Sequence, residues 1–245
     1  HTLLVSFLLM AWFPAISSAS DIDGVVSAGR LDADIRRDQT SHPEAILSLL
    51  DLQPGQHVAD IFGGGGYYSE LMGMLVSPGG EVLLHNNQAY RGFVEKGLTE
   101  RFTGRAVVGV IQHEREVDDM ELGAATLDAA IMIMSYHDLY HQGEDWPEID
   151  AGNFLGQILT ALKPGGKFLI VDHVAQPGSG NSAAQDIHRI TPEYARADIT
   201  SRGFEFVASS DVLRNPSDDY SLMVFDPQVR GKTDRFVHLY IKPLQ

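Results

Sequence analysis

From Val58 onward, short apolar runs alternate with stretches whose apolar residues return every three or four positions. The first pattern predicts buried strands and the second amphipathic helices. Val58 to Phe62 reads as a strand, Tyr67 to Leu75 as a helix, and Glu81 to His85 as a second strand after the turn "SPGG". Gln88 to Arg101 reads as a helix and Ala106 to Gln112 as a third strand. The unbroken run "LDAAIMIMS", Leu127 to Ser135, predicts a fourth, central strand. Pro147 to Leu162 has helical spacing, "KPGG" stops it, and Lys167 to Val171 is a fifth strand. Pro192 to Ser201 reads as a helix, "RGFEFVASSDVL" begins a sixth strand, and "FVHLYI", Phe236 to Ile241, closes the series. Ahead of it, Ser41 as N-cap and Pro43 at N1 mark a helix start, with Ile46, Leu49 and Leu50 on one face. This alternation predicts an α/β fold, a parallel sheet covered by helices on both faces. With no internal repeat or low-complexity linker, one domain is expected from Asp21 to Gln245.

The first 20 residues break the pattern. "HTLLVSFLLMAWFPAISSAS" lacks Asp, Glu, Lys and Arg, and its apolar part, Leu3 to Ile16, is short for a bilayer span. It fits the apolar core of a signal peptide, with Ser18 and Ser20 before a cleavage point at Asp21 and no basic segment ahead of it. The expected location is therefore outside the cytoplasm, in the periplasm, with no stable membrane insertion once the leader is cut. An uncleaved leader acting as an anchor is the alternative, and a buried N-terminal helix the third reading. Across the 245 residues the formal net charge is −15, which argues against nucleic-acid or anionic-membrane surfaces, since phosphate binding needs clustered Lys and Arg. The chain has no cysteine, so disulfides, thiolate metal sites and cysteine nucleophiles are excluded.

Candidate chemistry begins in "VADIFGGGGYYSEL", Val58 to Leu71. A strand ending in an acid, then glycines, then a helix offers backbone N–H groups and a positive helix end to a ligand. Glycines serve a plain turn equally well, and Gly64-x-Gly66 does not complete the dinucleotide pattern. Together with "LKPGGKFLIVD" (162–172), however, the stretch resembles the class I S-adenosylmethionine-dependent methyltransferases. In that family an acid ends strand one, a glycine loop follows, and "LKPGG" precedes strand five. The similarity is closer to a subgroup of predicted exported methyltransferases, through "GGGYYSEL", "SYHDLYH", "LIVDHVAQPGSG", "IHRI", "LRNP" and "FDPQVRGKTDRF", over roughly Pro43 to Pro243.

The resemblance implies a Rossmann-like seven-stranded sheet, mostly parallel, with the last strand antiparallel. It also implies S-adenosylmethionine as cofactor and methyl transfer to a small molecule. Asp60 matches the family's loop-leading acid, Gly64 and Gly66 match its last two glycines, and Phe62 stands where its first glycine would be. The implied cofactor set is Asp60, Gly63, Gly64, Gly65, Gly66, Tyr68, Asn86, Asp118, Asp119 and Ser135. Asn86 occupies the place of the acid that usually meets the ribose, and Asp118 or Asp119 the adenine side.

Strands four and five end in "SYHDLYH" and "VDHVAQPGSG". Ligands of open parallel sheets bind beyond the carboxyl ends of the strands, so His137, Asp138, His141, Asp172 and His173 converge on one place. His188 and Arg189 follow in the next loop. Three readings stand. His137 or His173 is a general base oriented by Asp138 or Asp172. Alternatively His137, His141, Asp172 and His173 hold a divalent metal. In the third, these groups satisfy strand-end backbone and one another. His137, Asp138 and His173 are the expected catalytic set. A protein that keeps the fold but binds a metal or small ligand through this cluster, without methyl transfer, is the competing function. Near the end, Arg230, Lys232 and Arg235 read as a basic lip or as ion pairs with Asp226 and Asp234. Trp146 reads as a lid or core residue.

Overall fold

A computed structural model of the chain describes residues 22–26 and 29–244. The leader expected over 1–20 and the cleavage point at Asp21 lie outside the described residues. Among the described residues no helix is long and apolar enough to cross a membrane.

Seven strands form one sheet: β1 His57–Ile61, β2 Glu81–Asn86, β3 Val110–Glu114, β4 Leu127–Ile133, β5 Leu162–His173, β6 Glu205–Ser210 and β7 Arg235–Ile241. Their order is β3-β2-β1-β4-β5-β7-β6. β1 to β5 pair in parallel, and β7 runs antiparallel between β5 and β6. The helices are α1 Ile22–Val26, α2 Asp32–Ser41, α3 Pro43–Ser48, α4 Tyr67–Val76, α5 Gln88–Phe102, α6 Ala151–Ala161, α7 Ala184–Ile187 and α8 Pro192–Ser201. A short 3-10 helix, Tyr136–Tyr140, follows β4. The expected Rossmann-like architecture with its antiparallel last strand is present.

Continuous apolar strands bury both faces, and period-two alternation assigns each residue to a side. In β4, Ala130 and Met132 join Phe154 and Ile158 of α6, while Ala129 and Ile131 join Leu71 and Met72 of α4. In β5, Phe168 and Ile170 face the first core and Leu169 and Val171 the second. Asp150 caps α6 by accepting from the N–H groups of Gly152 and Asn153, which is why the helix starts at Ala151 rather than Pro147.

Other boundaries differ for local reasons. Ser41 is the last residue of α2, not a cap; His42, left-handed at φ +42°, turns the chain into α3, whose N1 is Pro43 as expected. α2 itself, "DADIRRDQTS", has no apolar stripe for periodicity to find. It is held by polar contacts instead: Asp34 to Arg101, and Asp38 to Arg30 and Tyr67. β3 starts only at Val110, after Gly109 at φ +69°. β4 stops at Ile133 because Met134, at φ +58°, turns the chain. β5 starts at Leu162, paired with Leu127, so "KPGG" lies inside an irregular start of the strand.

Candidate active site

The glycine loop joins β1 to α4. Asp60, fully buried in β1, accepts a hydrogen bond from Ser69 Oγ at 2.6 Å. Gly63 lies against that carboxylate: a Cβ there would sit 2.6 Å from Asp60 Cγ and from Leu84 Cδ1, so no larger residue fits. Gly66, at φ +82°, is the N-cap of α4, a left-handed position that favours glycine. Gly65 packs on Gly97 of α5, and its carbonyl accepts from Arg101 Nε. Arg101 also pairs with Asp34 of α2 and Glu70 of α4, so one buried guanidinium ties three helices to the loop. Asn86, at the end of β2, gives its whole amide to Gly64: Oδ1 accepts from the Gly64 N–H and Nδ2 donates to its carbonyl, both at 3.0 Å. Its role here is to clamp the loop.

Burial pushes the Asp60 carboxyl up to about 6, with the Ser69 hydrogen bond opposing. Below about pH 4 the group is protonated in folded and unfolded chains alike. Between about 4 and 6 only the unfolded chain releases the proton, so this residue's contribution to stability falls as pH rises. The difference is roughly 3 kcal/mol, complete above pH 6. Asp60→Asn, which keeps an acceptor for Ser69, is expected to match the native chain near pH 4 and to exceed its stability at pH 7. Urea melts of both proteins across that window measure it. A constant difference between the two would refute it.

Beyond the ends of β1 and β4 lies an aromatic stack. Phe62, buried and left-handed at φ +51°, stacks on Tyr90 of α5 at 5.1 Å between centroids and on Phe154 of α6 at 5.5 Å. His85 and Trp146 complete its surroundings at 5.5 and 5.6 Å. Trp146 is half-buried and donates through Nε1 to the Asp138 carbonyl, so it belongs to the wall of the site. At the carboxyl ends of β2 and β4, Ser135 Oγ, His85 Nδ1 and Asn87 Nδ2 are buried without a hydrogen-bond partner. Tyr68, also buried, donates to the Ser41 carbonyl.

The histidine–acid cluster lies at the ends of β4 and β5. Asp172, fully buried, accepts three hydrogen bonds: from the N–H of His137 (2.7 Å), from His137 Nδ1 (2.8 Å) and from the N–H of His173 (2.7 Å). The other imidazole nitrogen of His137, Nε2, lies 3.2 Å from Asp138 Oδ1. Burial alone would pull this imidazole down, but Asp172 and Asp138 outweigh it and lift the group to about 10. Burial pushes Asp138 up, yet His137 and His188 hold it below the usual carboxylate range. His173 is the opposite case: burial, then the charge on His137, push it well below its ordinary value. Its Nδ1 meets Thr233 Oγ1 at 2.7 Å. At neutral pH the cluster therefore holds one imidazolium between two carboxylates and one neutral imidazole. Of the two histidines considered as bases, His137 already carries its proton, and the surroundings of His173 disfavour adding one.

The structure gathers Asp60, the glycines, Ser135, His137, Asp138, Asp172 and His173 at the carboxyl ends of the strands. His141 stands next to His188, 4.7 Å between ring centroids, rather than beside Asp172. Asp118 and Asp119 are exposed and line an open cavity of about 630 Å³ beyond β2 and β3, with Gln88, Arg91 and Arg115. In the basic lip Arg235 is buried and donates to the Thr40 carbonyl, while Asp234 pairs with Arg214. Sequence reading missed Tyr90, whose signal was available. It is an aromatic residue in the first turn after the capping Asn87, and its ring stacks on Phe62 just after β1.

No family model matches this chain, and no curated protein does. Its fold is similar to a SAM-dependent methyltransferase from Aquifex aeolicus, with 16% identity, a TM-score of 0.61, and coverage of 91% of this chain and 97% of that one. A SAM-dependent methyltransferase from Mesorhizobium loti is similar at 15% identity and TM-score 0.55, covering 81% and 96%. The [4+2]-cyclase SpnF is similar at 15% and 0.55, covering 87% and 82%. In its sheet order, its antiparallel β7 and its flanking helices, the chain has the Rossmann-like fold of the class I SAM-dependent methyltransferases.

Proposed function

We propose that the protein binds S-adenosylmethionine and transfers its methyl group to a small molecule. The observation that carries this reading is the set of unpartnered buried atoms, Ser135 Oγ, His85 Nδ1 and Asn87 Nδ2, at the ends of the two strands that flank β1, whose glycine loop opens a helix. Buried polar groups are normally paired, and these three offer hydrogen bonds to a polar ligand at the sheet's carboxyl end. The residues that would hold the donor are the Gly63–Gly66 loop, Tyr68, Asn87 and Ser135, with Asp118 and Asp119 at the outer side. The donor supplies an activated methyl group. His173, neutral and beside the cluster, would orient the hydroxyl or amine of an acceptor by a hydrogen bond. The acceptor's lone pair takes the methyl carbon, the donor sulfur keeps the electron pair of the broken C–S bond, and the acceptor's proton leaves to solvent. Asp172 fixes the neighbouring His137, whose positive charge is already matched by Asp172 and Asp138. Such positioning supplies much of the rate of an in-line displacement.

Calorimetry with S-adenosylmethionine tests this. Binding is expected for the native chain, and Ser135→Ala should weaken it by about five- to tenfold, one lost hydrogen bond. No heat at millimolar donor would sink the reading.

A second reading, a methyltransferase-fold protein that binds without methyl transfer, is favoured by two features. The Asn86 amide is spent on Gly64, and the ring of Phe62 closes a stack with Tyr90 and Trp146. The cyclase among the similar structures has this fold with another named reaction. The apolar N-terminal segment supports a periplasmic location for either protein or, as an uncleaved leader, a membrane-anchored one; N-terminal sequencing of the protein from an envelope fraction distinguishes these.

A further inference from the structure

We infer that His137, Asp138 and His188 form a binding site for a first-row divalent transition metal. Each residue offers one ligand atom, and the three lie within 4.8 Å of one another. Two histidines and one carboxylate are a donor set that zinc and iron favour.

The distances separate this arrangement from an ordinary ion-pair network. Charge-assisted N–H···O bonds run at about 2.7–2.9 Å. His137 Nδ1 to Asp172, at 2.8 Å, is such a bond. His137 Nε2 to Asp138 Oδ1, at 3.2 Å, and His188 Nδ1 to the same oxygen, at 3.5 Å, are longer. Ligands bonded to a tetrahedral ion at about 2.0–2.1 Å lie roughly 3.3 Å apart, which is the spacing of these two pairs. His188 Nδ1 is buried and makes no hydrogen bond, as is also true of the neighbouring His141 Nδ1.

The surroundings are built for a ligand set. Asp172 holds Nδ1–H of His137, so that Nε2 faces Asp138 and His188; a carboxylate behind a ligating histidine orients it in the same way in metal sites. His188 sits at φ +56°, a strained backbone for a residue other than glycine, at the end of α7. The next residue, Arg189, is fully buried and tied to Asp218 and the Val174 carbonyl, which fixes the turn against β5. Small rotation of His188, whose side chain is 20% exposed, closes the remaining gap. Binding replaces the Nε2 proton of His137, which leaves to solvent, and keeps Nδ1–H on Asp172.

The proposal is independent of methyl transfer, because it is read from metal uptake with no donor present. Untagged protein is stripped with chelator, dialysed, and titrated with Zn(II) and separately with Co(II). One ion per chain is expected, with a visible Co(II) absorption band of a nitrogen–oxygen site. His188→Ala should weaken uptake by about 100-fold or more and abolish the band, whereas His57→Ala, at the opposite end of the sheet, should retain both. Asp138→Asn repeats the test if His188→Ala fails to fold by circular dichroism. Absence of uptake by the native chain overturns the site, as does equal uptake in either variant of the cluster.

Discussion

Asp172→Ala is expected to cost about 3–5 kcal/mol of folding stability, the effect of removing one partner from a buried ion pair. The carboxylate is fully buried and accepts from the His137 and His173 N–H groups and from His137 Nδ1. Without it, the imidazolium keeps only Asp138, and two buried N–H groups lose their acceptor. Asp172→Asn tests the charge apart from the volume. Its neutral amide still fills the space but no longer raises His137. The native group, lifted to about 10, contributes stability that is complete below the ordinary histidine value of about 6.5. That contribution is lost as pH rises from there through about 10. In Asp172→Asn this alkaline loss should shrink, and the His137 C2–H resonance should move downward toward the neutral range. Both are measured in chelator, so that a bound metal cannot replace the proton. A loss under 1 kcal/mol in Asp172→Ala, or an unmoved His137 titration, would show that the pair does not control the cluster.

The fold was legible where a strand holds an unbroken apolar run, as in β4 and the "FLIV" of β5, and where a helix is periodic, as in α6. "LDAAIMI" reads as the central β4 because both of its faces meet packed side chains. α2 was not legible, since its partners, Arg101 and Tyr67, come from distant parts of the chain. In the candidate site, residue types and strand ends placed His137, Asp138, Asp172 and His173 together before any coordinates. What sequence could not assign was protonation. The opposite shifts of His137 and His173 depend on which carboxylates face each ring, and Asp172 Oδ1 and Oδ2 both turn toward His137. The role of Asn86 was equally hidden, because its two bonds to Gly64 arise only when β1 and β2 lie side by side in register.

Phe62→Ala is expected to destabilise the protein by about 3–5 kcal/mol, the usual loss for a buried phenylalanine ring. Phe62→Gly should lose about 1 kcal/mol less, reversing the ordinary order of glycine and alanine. The reason is the backbone: at φ +51° an alanine keeps the strain of a left-handed residue and glycine does not. Thermal or urea unfolding of the two variants reads the difference, and an alanine variant as stable as the glycine one would remove the strain argument. The same pair separates packing from occupation of the donor space. The ring packs between Tyr90, Phe154, His85 and Trp146, directly after β1 and before the glycines. If it narrows the approach to the loop, Phe62→Gly should bind S-adenosylmethionine about tenfold more tightly than the native chain, a gain of about 1.4 kcal/mol. An unchanged affinity means that the stack is only core. In that case the donor, if it binds, reaches Ser135 and the glycine loop without displacing Phe62. Weaker binding in Phe62→Gly would instead make the ring itself part of the surface that the donor meets.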